Sequence, residues 1–211
     1  MKRLAIIGSG DLAKQIAHHA VNDNHYEIAG CFNDFFEVGD THNDFKILGT
    51  INSIQHCFNN GLFDELMIGI GYKHMALRNE LFERFGSFIP FGTIVHSTSF
   101  VDKSAVIGKG SIIYPGCTID MHANIGENCL VYNGCNVAHD SKIENHSILS
   151  PGVNIAGFCT IGKMVVLGIG TIVSDNVKIK DGLRTGAGTL VTKDLFEDGI
   201  YIGIPAKKMN S

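Results

Sequence analysis

Along the second half of the chain, aliphatic side chains return at every sixth residue. Counting in sixes from Val95 to Val191 meets seventeen positions, and all but Thr185 are Ile, Leu or Val. Two residues before these positions the side chain is mostly small: Ala105, Ser111, Cys117, Ala123, Cys129, Cys135, Ser141, Ser147 and Cys159, with Val153 the bulkier member. A helix repeats near 3.6 residues and one face of a strand repeats at 2, so a period of six predicts very short strands joined by tight turns. The first ninety residues follow a different pattern. Apolar runs at 4–7, 26–32 and 65–70 predict strands, and segments near 11–22, 51–58 and 74–85 predict helices, the alternation of a βαβ unit.

The six-residue period resembles the hexapeptide repeat of the left-handed parallel β-helix, in which three hexapeptides close one triangular coil. The fold expected is therefore an α/β, Rossmann-like domain over residues 1–90, followed by a left-handed parallel β-helix and a short C-terminal segment over 91–211. Positions 18 apart then lie in one column, about 4.8 Å apart along the axis. Cys117 should stack on Cys135, and with Cys129 and Cys159 these thiols should face inward as compact hydrophobes. His122 should sit next to Asp140 in the same way.

Residues just before the aliphatic position should face outward. One face then reads Ile94, Ile112, Leu130, Ile148 and Val166, with Tyr114 and Tyr132 beside it. An apolar face on such a rod predicts a contact surface, here a homo-oligomer and specifically a trimer. Cover by the chain's own N-terminal segment is the alternative.

Composition narrows the partners. The 211 residues carry a formal net charge of -4, which argues against nucleic acid or an anionic membrane surface. Twenty-five glycines suit a chain of recurring turns. No apolar run is long enough to span a bilayer, and Met1-Lys2-Arg3 leads into an apolar stretch too short for a secretion signal, so no membrane insertion and a cytoplasmic protein are expected.

Candidate chemistry falls in both halves. Gly8-Ser9-Gly10-Asp11-Leu12-Ala13 follows the first strand and opens a helix, as a turn does when backbone N–H groups face a phosphate. Asn33-Asp34 follows the second strand, where a carboxylate commonly meets ribose or base. Only one mononucleotide half precedes the repeats, so one nucleotide fits better than a dinucleotide; a tight turn without ligand remains open. In the repeats, His139 falls at a coil corner with Asp140 beside it, and a carboxylate next to an imidazole leaves the other ring nitrogen free to accept a proton. Gly157 lies one coil later, where its N–H would face a developing oxyanion.

Over essentially all 211 residues, including Gly203-Ile204-Pro205-Ala206-Lys207-Lys208, the chain resembles bacterial nucleotide-sugar N-acetyltransferases, with sialic-acid O-acetyltransferase relatives. The resemblance implies an acetyl-CoA-dependent acyltransferase acting on a nucleotide-linked 4-amino-4,6-dideoxy sugar by direct transfer, with no metal. It makes His139 the base and Asp140 its acidic partner. Ser9, Gly10, Asp11, Asn33, Asp34 and Gly71 would contact the nucleotide sugar. Acetyl-CoA would lie along Gly157, Ile169 and Ala187, with Lys207 near its phosphates; a histidine contact to CoA in that family is Ile148 here. Rivals are a sugar O-acetyltransferase, a three-histidine zinc hydratase on the same kind of rod, and a nucleotide-sugar-binding protein without catalysis.

Overall fold

The protein is described by a computed structural model covering residues 1–209. It separates into two compact units, Met1–Ile94 and Val95–Ser211.

The first unit is a five-stranded sheet with helices. Strands β1 (Arg3–Ile7), β2 (Glu27–Phe32), β4 (Phe45–Gly49) and β5 (Glu65–Ile68) are parallel, and the short β3 (Thr41–His42) pairs antiparallel with β4, giving the order β3-β4-β2-β1-β5. Helices α1 (Asp11–Asn22), α2 (Ile54–Asn59, entered through a 3-10 turn at Ile51–Ser53) and α3 (Met75–Phe85) fall where the periodicity places them. β5 is buried throughout and β1 from Leu4 to Ile7 completely, as parallel strands between helices are, while β2 is buried from Gly30 to Phe32. The hairpin β3–β4 is not in the sequence reading. Its turn residues Asn43 and Asp44 both have positive φ, 51° and 67°, the tight hairpin geometry that Asn and Asp tolerate best. Pro90 and Gly92 exchange backbone hydrogen bonds with Leu66 at 2.9 and 3.0 Å, so the first unit runs past residue 90.

The second unit is a left-handed β-helix. Seventeen two-residue strands run from Ile94–Val95 to Leu190–Val191, and the second residue of each is one of the seventeen sixth-residue positions. Each strand pairs in parallel with the one 18 residues away, as in Asn136↔Asn154 and Val137↔Ile155. The inward positions from Ile113 to Val191 are nearly all fully buried, and each such aliphatic side chain contributes about 1.5–3 kcal/mol. Thr185, the exception in the repeat, is buried too and shares a 2.7 Å hydrogen bond with Thr171. The rod ends in Ile200–Ile202 paired antiparallel with Lys207–Lys208.

The thiols behave as expected: Cys117, Cys129, Cys135 and Cys159 are buried as thiols, and each points its Sγ at a backbone carbonyl. Cys117 and Cys135 lie 18 residues apart in neighbouring coils, and the Cys117 thiol together with burial pushes the Cys135 thiol up.

The apolar face needs correction. Ile94, Ile112, Leu130, Ile148 and Val166 are at most 8% exposed within a single chain, and Tyr114 is equally covered. They therefore leave no open apolar face for a trimer contact. Periodicity reports which way a side chain points, whereas burial depends on what packs over it.

Candidate functional site

The β-helix turns corners along three edges, and the edges differ in chemistry. Along one, every corner residue with positive φ is glycine: Gly116, Gly134, Gly152, Gly170 and Gly188. Along the next, the equivalent residues are His122, Asp140, Phe158 and Asn176, all with φ between 57° and 61°. Side chains rarely adopt this conformation, which costs roughly 1–2 kcal/mol per residue outside glycine. The third edge mixes the two, with Gly110 and Gly182 beside Asn128, His146 and Met164, so what sets the second edge apart is the exposed His-Asp chemistry it carries.

His139 stands on this second edge. Its Nδ1 is 3.0 Å from Asp140 Oδ2, and the ring lies 5.0 Å from the Phe158 ring in an edge-to-face contact. The Asp140 carboxyl is held below the ordinary carboxylate range, first by the hydrogen bond from His139 and then, against some burial, by His122. An ionised carboxylate only accepts, so Nδ1 of His139 carries the proton and Nε2 is left with its lone pair. His122 Nδ1 is 3.3 Å from the other oxygen, Oδ1, confirming the 18-residue stacking of His122 on Asp140.

Gly157 lies against His139, as the 18-residue spacing requires. Its N–H donates to Asp175 Oδ1 at 3.2 Å, one further coil along, and so is not free for an oxyanion. What matters is its missing side chain: a Cβ there would stand 2.8 Å from His139 Cε1 and 2.9 Å from Nε2. The imidazole occupies the space glycine leaves. Asp175 escaped notice in the sequence, although the 18-residue rule applied to Gly157 points straight to it.

In the first unit, the expected nucleotide residues gather at the C-terminal ends of β1, β2 and β5, the edge where open α/β sheets bind ligands. Gly8 takes φ 95° and donates its N–H to Phe32 O, which turns the chain from β1 into α1. Ser9 is buried, with Oγ accepting from Asn33 Nδ2 at 2.8 Å and sharing a 2.9 Å hydrogen bond with His42 Nδ1. Asn33, half-buried, also accepts from the Phe35 N–H, so Ser9 and Asn33 hold the edge together. His42 and Asn43 complete this cluster, His42 stacked on Phe36 at 4.1 Å and Asn43 donating to Ser9 O. Both were missed; the signal was the Asn43-Asp44 turn before the apolar run of β4. Gly10, Asp11 and Asp34 are exposed, with Asp34 Oδ1 accepting the Ile51 N–H at 2.7 Å, and Gly71 opens the turn before α3. A groove of about 610 Å³, lined by Lys14, Gln15, His18, Gly30, Asn43 and Lys46, lies beside this edge and meets it only at Asn43.

Ile169 and Ala187 are exposed and stacked on the glycine edge, each directly before a corner glycine. Lys207 is exposed on the terminal strand. Within one chain these residues are not brought to His139: the face bearing Asn136, Asn154 and Ile172 separates the two edges. Among the described residues, no group of three or more His, Cys, Asp and Glu is arranged to hold a metal ion, and no helix is long and apolar enough to cross a membrane.

A Rossmann-like unit joined to a left-handed β-helix with a His-Asp pair on one edge defines a class of two-part hexapeptide-repeat proteins. Residues 92–198 match the family model of the GMPPB C-terminal domain and residues 3–85 that of the PglD N-terminal domain. The first match spans just over half of the chain, and the chain belongs to that family. A search of curated proteins finds no significant match. Among solved structures, the acetyltransferase domain of PglB from Neisseria gonorrhoeae FA1090 is similar at 23% identity and TM-score 0.89, over 99% of this chain and 100% of that one. PerB from Caulobacter crescentus, solved with CoA and GDP-perosamine, is similar at 24% identity and TM-score 0.89, over 100% and 98%. WeeI from Acinetobacter baumannii AYE matches at 18% identity and TM-score 0.76, over 99% and 100%. These matches bear out the fold and the resemblance read from the sequence.

Proposed function

We propose that the protein is an acetyl-CoA-dependent N-acetyltransferase acting on the amino group of a nucleotide-linked 4-amino-4,6-dideoxy sugar. The observation that carries this reading is the His139–Asp140 pair, poised with Nε2 as a base on the edge of a hexapeptide-repeat β-helix. The PerB structure, whose ligands are CoA and GDP-perosamine, supports the substrate class.

The mechanism is direct transfer. The neutral sugar amine attacks the thioester carbonyl, His139 Nε2 takes the proton from the attacking nitrogen, and the tetrahedral intermediate collapses with loss of the CoA thiolate. Asp140 stabilises the imidazolium that forms. The inward cysteines stay out of the reaction, buried inside the rod. In the first unit, Gly10, Asp11, Asp34 and Gly71 present groups suited to a nucleotide's phosphates, ribose and base, on an edge that Ser9 and Asn33 hold in place. Ile169 and Ala187 offer an apolar ledge for the pantetheine arm, and Lys207 a cation for the CoA phosphates. The protein works as a homotrimer in the cytoplasm on this reading, with a contact other than the buried Ile112 column; that arrangement would let the two edges meet between copies.

The test is thiol release from acetyl-CoA across UDP-, dTDP- and GDP-linked 4-amino-4,6-dideoxy sugars, with the matching hydroxy sugars as controls. Release with an amino sugar alone supports the proposal and identifies the base. Release with a hydroxy sugar alone replaces it with O-acetylation, and silence throughout overturns it.

A further inference from the structure

The carboxylate beside His139 has a second imidazole on it, and the geometry of that pair goes beyond a His-Asp dyad. Asp140 uses one oxygen for each ring: Oδ2 for His139 at 3.0 Å and Oδ1 for His122 at 3.3 Å. The terminal torsion of an aspartate is broad and nearly two-fold, so a carboxylate with one partner can rotate away from it. An imidazole within ion-pair distance of the opposite oxygen restrains that rotation.

His122 is itself held from the preceding coil. Its backbone N–H donates to Ser104 Oγ at 2.9 Å, and the Ser104 hydroxyl donates to Asp102 Oδ1 at 2.6 Å. It takes φ 57°, a conformation that an imidazole side chain seldom adopts and that glycine supplies freely on the neighbouring edge. An ordered series thus runs over three coils, from Asp102 and Ser104 through His122 and Asp140 to His139. Because the ionised carboxylate only accepts, Nδ1 of His139 carries its proton, and His122 Nδ1, at ion-pair distance from Oδ1, faces that oxygen as a second donor when it carries one.

We propose that His122 is a positioning residue: by donating to Oδ1 it fixes the Asp140 carboxylate so that Oδ2 locks His139 in the tautomer whose Nε2 accepts a proton. The consequence for turnover rests on reading His139 as the base; the consequence for the tautomer does not.

Two substitutions separate the donor from the backbone. Glycine at 122 accepts the positive φ and removes the donor. Asparagine accepts it nearly as well and places an amide N–H at the same bond separation from Cα as Nδ1. Both variants should keep the wild-type melting temperature within a few degrees. Nitrogen-15 NMR of histidine-labelled protein above the imidazole titration range should show His139 as the Nδ1–H form in the wild type. His122→Gly should move it toward a mixture with the Nε2–H form, and His122→Asn should restore it. In thiol release, His122→Gly should lower kcat about tenfold with KM for acetyl-CoA unchanged, and His122→Asn should recover most of the loss. An unchanged His139 tautomer in His122→Gly, or no recovery in a folded His122→Asn, overturns the proposal. The NMR arm needs no substrate, so it decides the role of His122 even if no acetyl transfer is found.

Discussion

Two edges of the same β-helix make opposite use of one backbone conformation. On the edge of Gly116, Gly134, Gly152, Gly170 and Gly188, positive φ is met by glycine, and nothing projects but the residue before each corner. On the edge of His122, Asp140, Phe158 and Asn176 the same angles are imposed on side chains, and there the imidazole, carboxylate and aromatic ring assemble around His139. The first edge minimises strain; the second tolerates it to project chemistry from a rigid corner. The difference teaches where to look on such a rod: at corners where glycine is not used and the side chains stay exposed, unlike the third edge, whose Asn128 and His146 are buried.

Substitutions can break that contrast. The largest effect is expected from His139→Ala, which removes the proposed base: thiol release should fall by about two orders of magnitude or more, with melting unchanged. Gly157→Ala comes next. Its φ is not in the strained region, so the backbone accepts a methyl group, but the Cβ would displace the half-exposed imidazole it meets at 2.8 Å. Turnover should drop on the order of tenfold while thermal denaturation barely changes.

Gly152→Ala inverts this result on the quiet edge. Open space surrounds its Cβ position, yet φ is 72°, so stability should fall by about 1 kcal/mol, seen as a melting point about 2–4 °C lower. The smallest effect is electrostatic. The hydrogen bond from His139 holds the Asp140 carboxyl below its ordinary range, so its stabilisation is present above the unfolded carboxyl's titration and is lost as pH falls through the depressed value. Asp140→Asn should therefore be slightly less stable than the wild type at pH 7, and the gap should close below about pH 4 in denaturation curves taken across pH.

Much of the site on the rod was legible because a solenoid turns sequence separation into distance. His139 beside Asp140, His122 stacked on Asp140 and Gly157 against His139 all follow from the 18-residue coil. The same rule read too much into Gly157, whose N–H is taken by Asp175, since spacing places neighbours and is silent on which hydrogen bonds they choose. In the first unit the elements were legible and the cluster was not: Ser9 meets His42 and Asn33 across 33 and 24 residues, separations that no short period encodes.

What the sequence alone determined is the two-part architecture, the inward column from Val95 to Val191, the buried thiols and the corner that bears His139. These depend on local periodicity, and periodicity is a property of the chain itself. What only the tertiary structure decided is the burial of Ile94, Ile112, Leu130, Ile148 and Val166, the engagement of the Gly157 N–H, and the hairpin that brings His42 and Asn43 to Ser9. Each of these depends on which distant groups meet, and the free energy of such a meeting belongs to the pair, not to either segment.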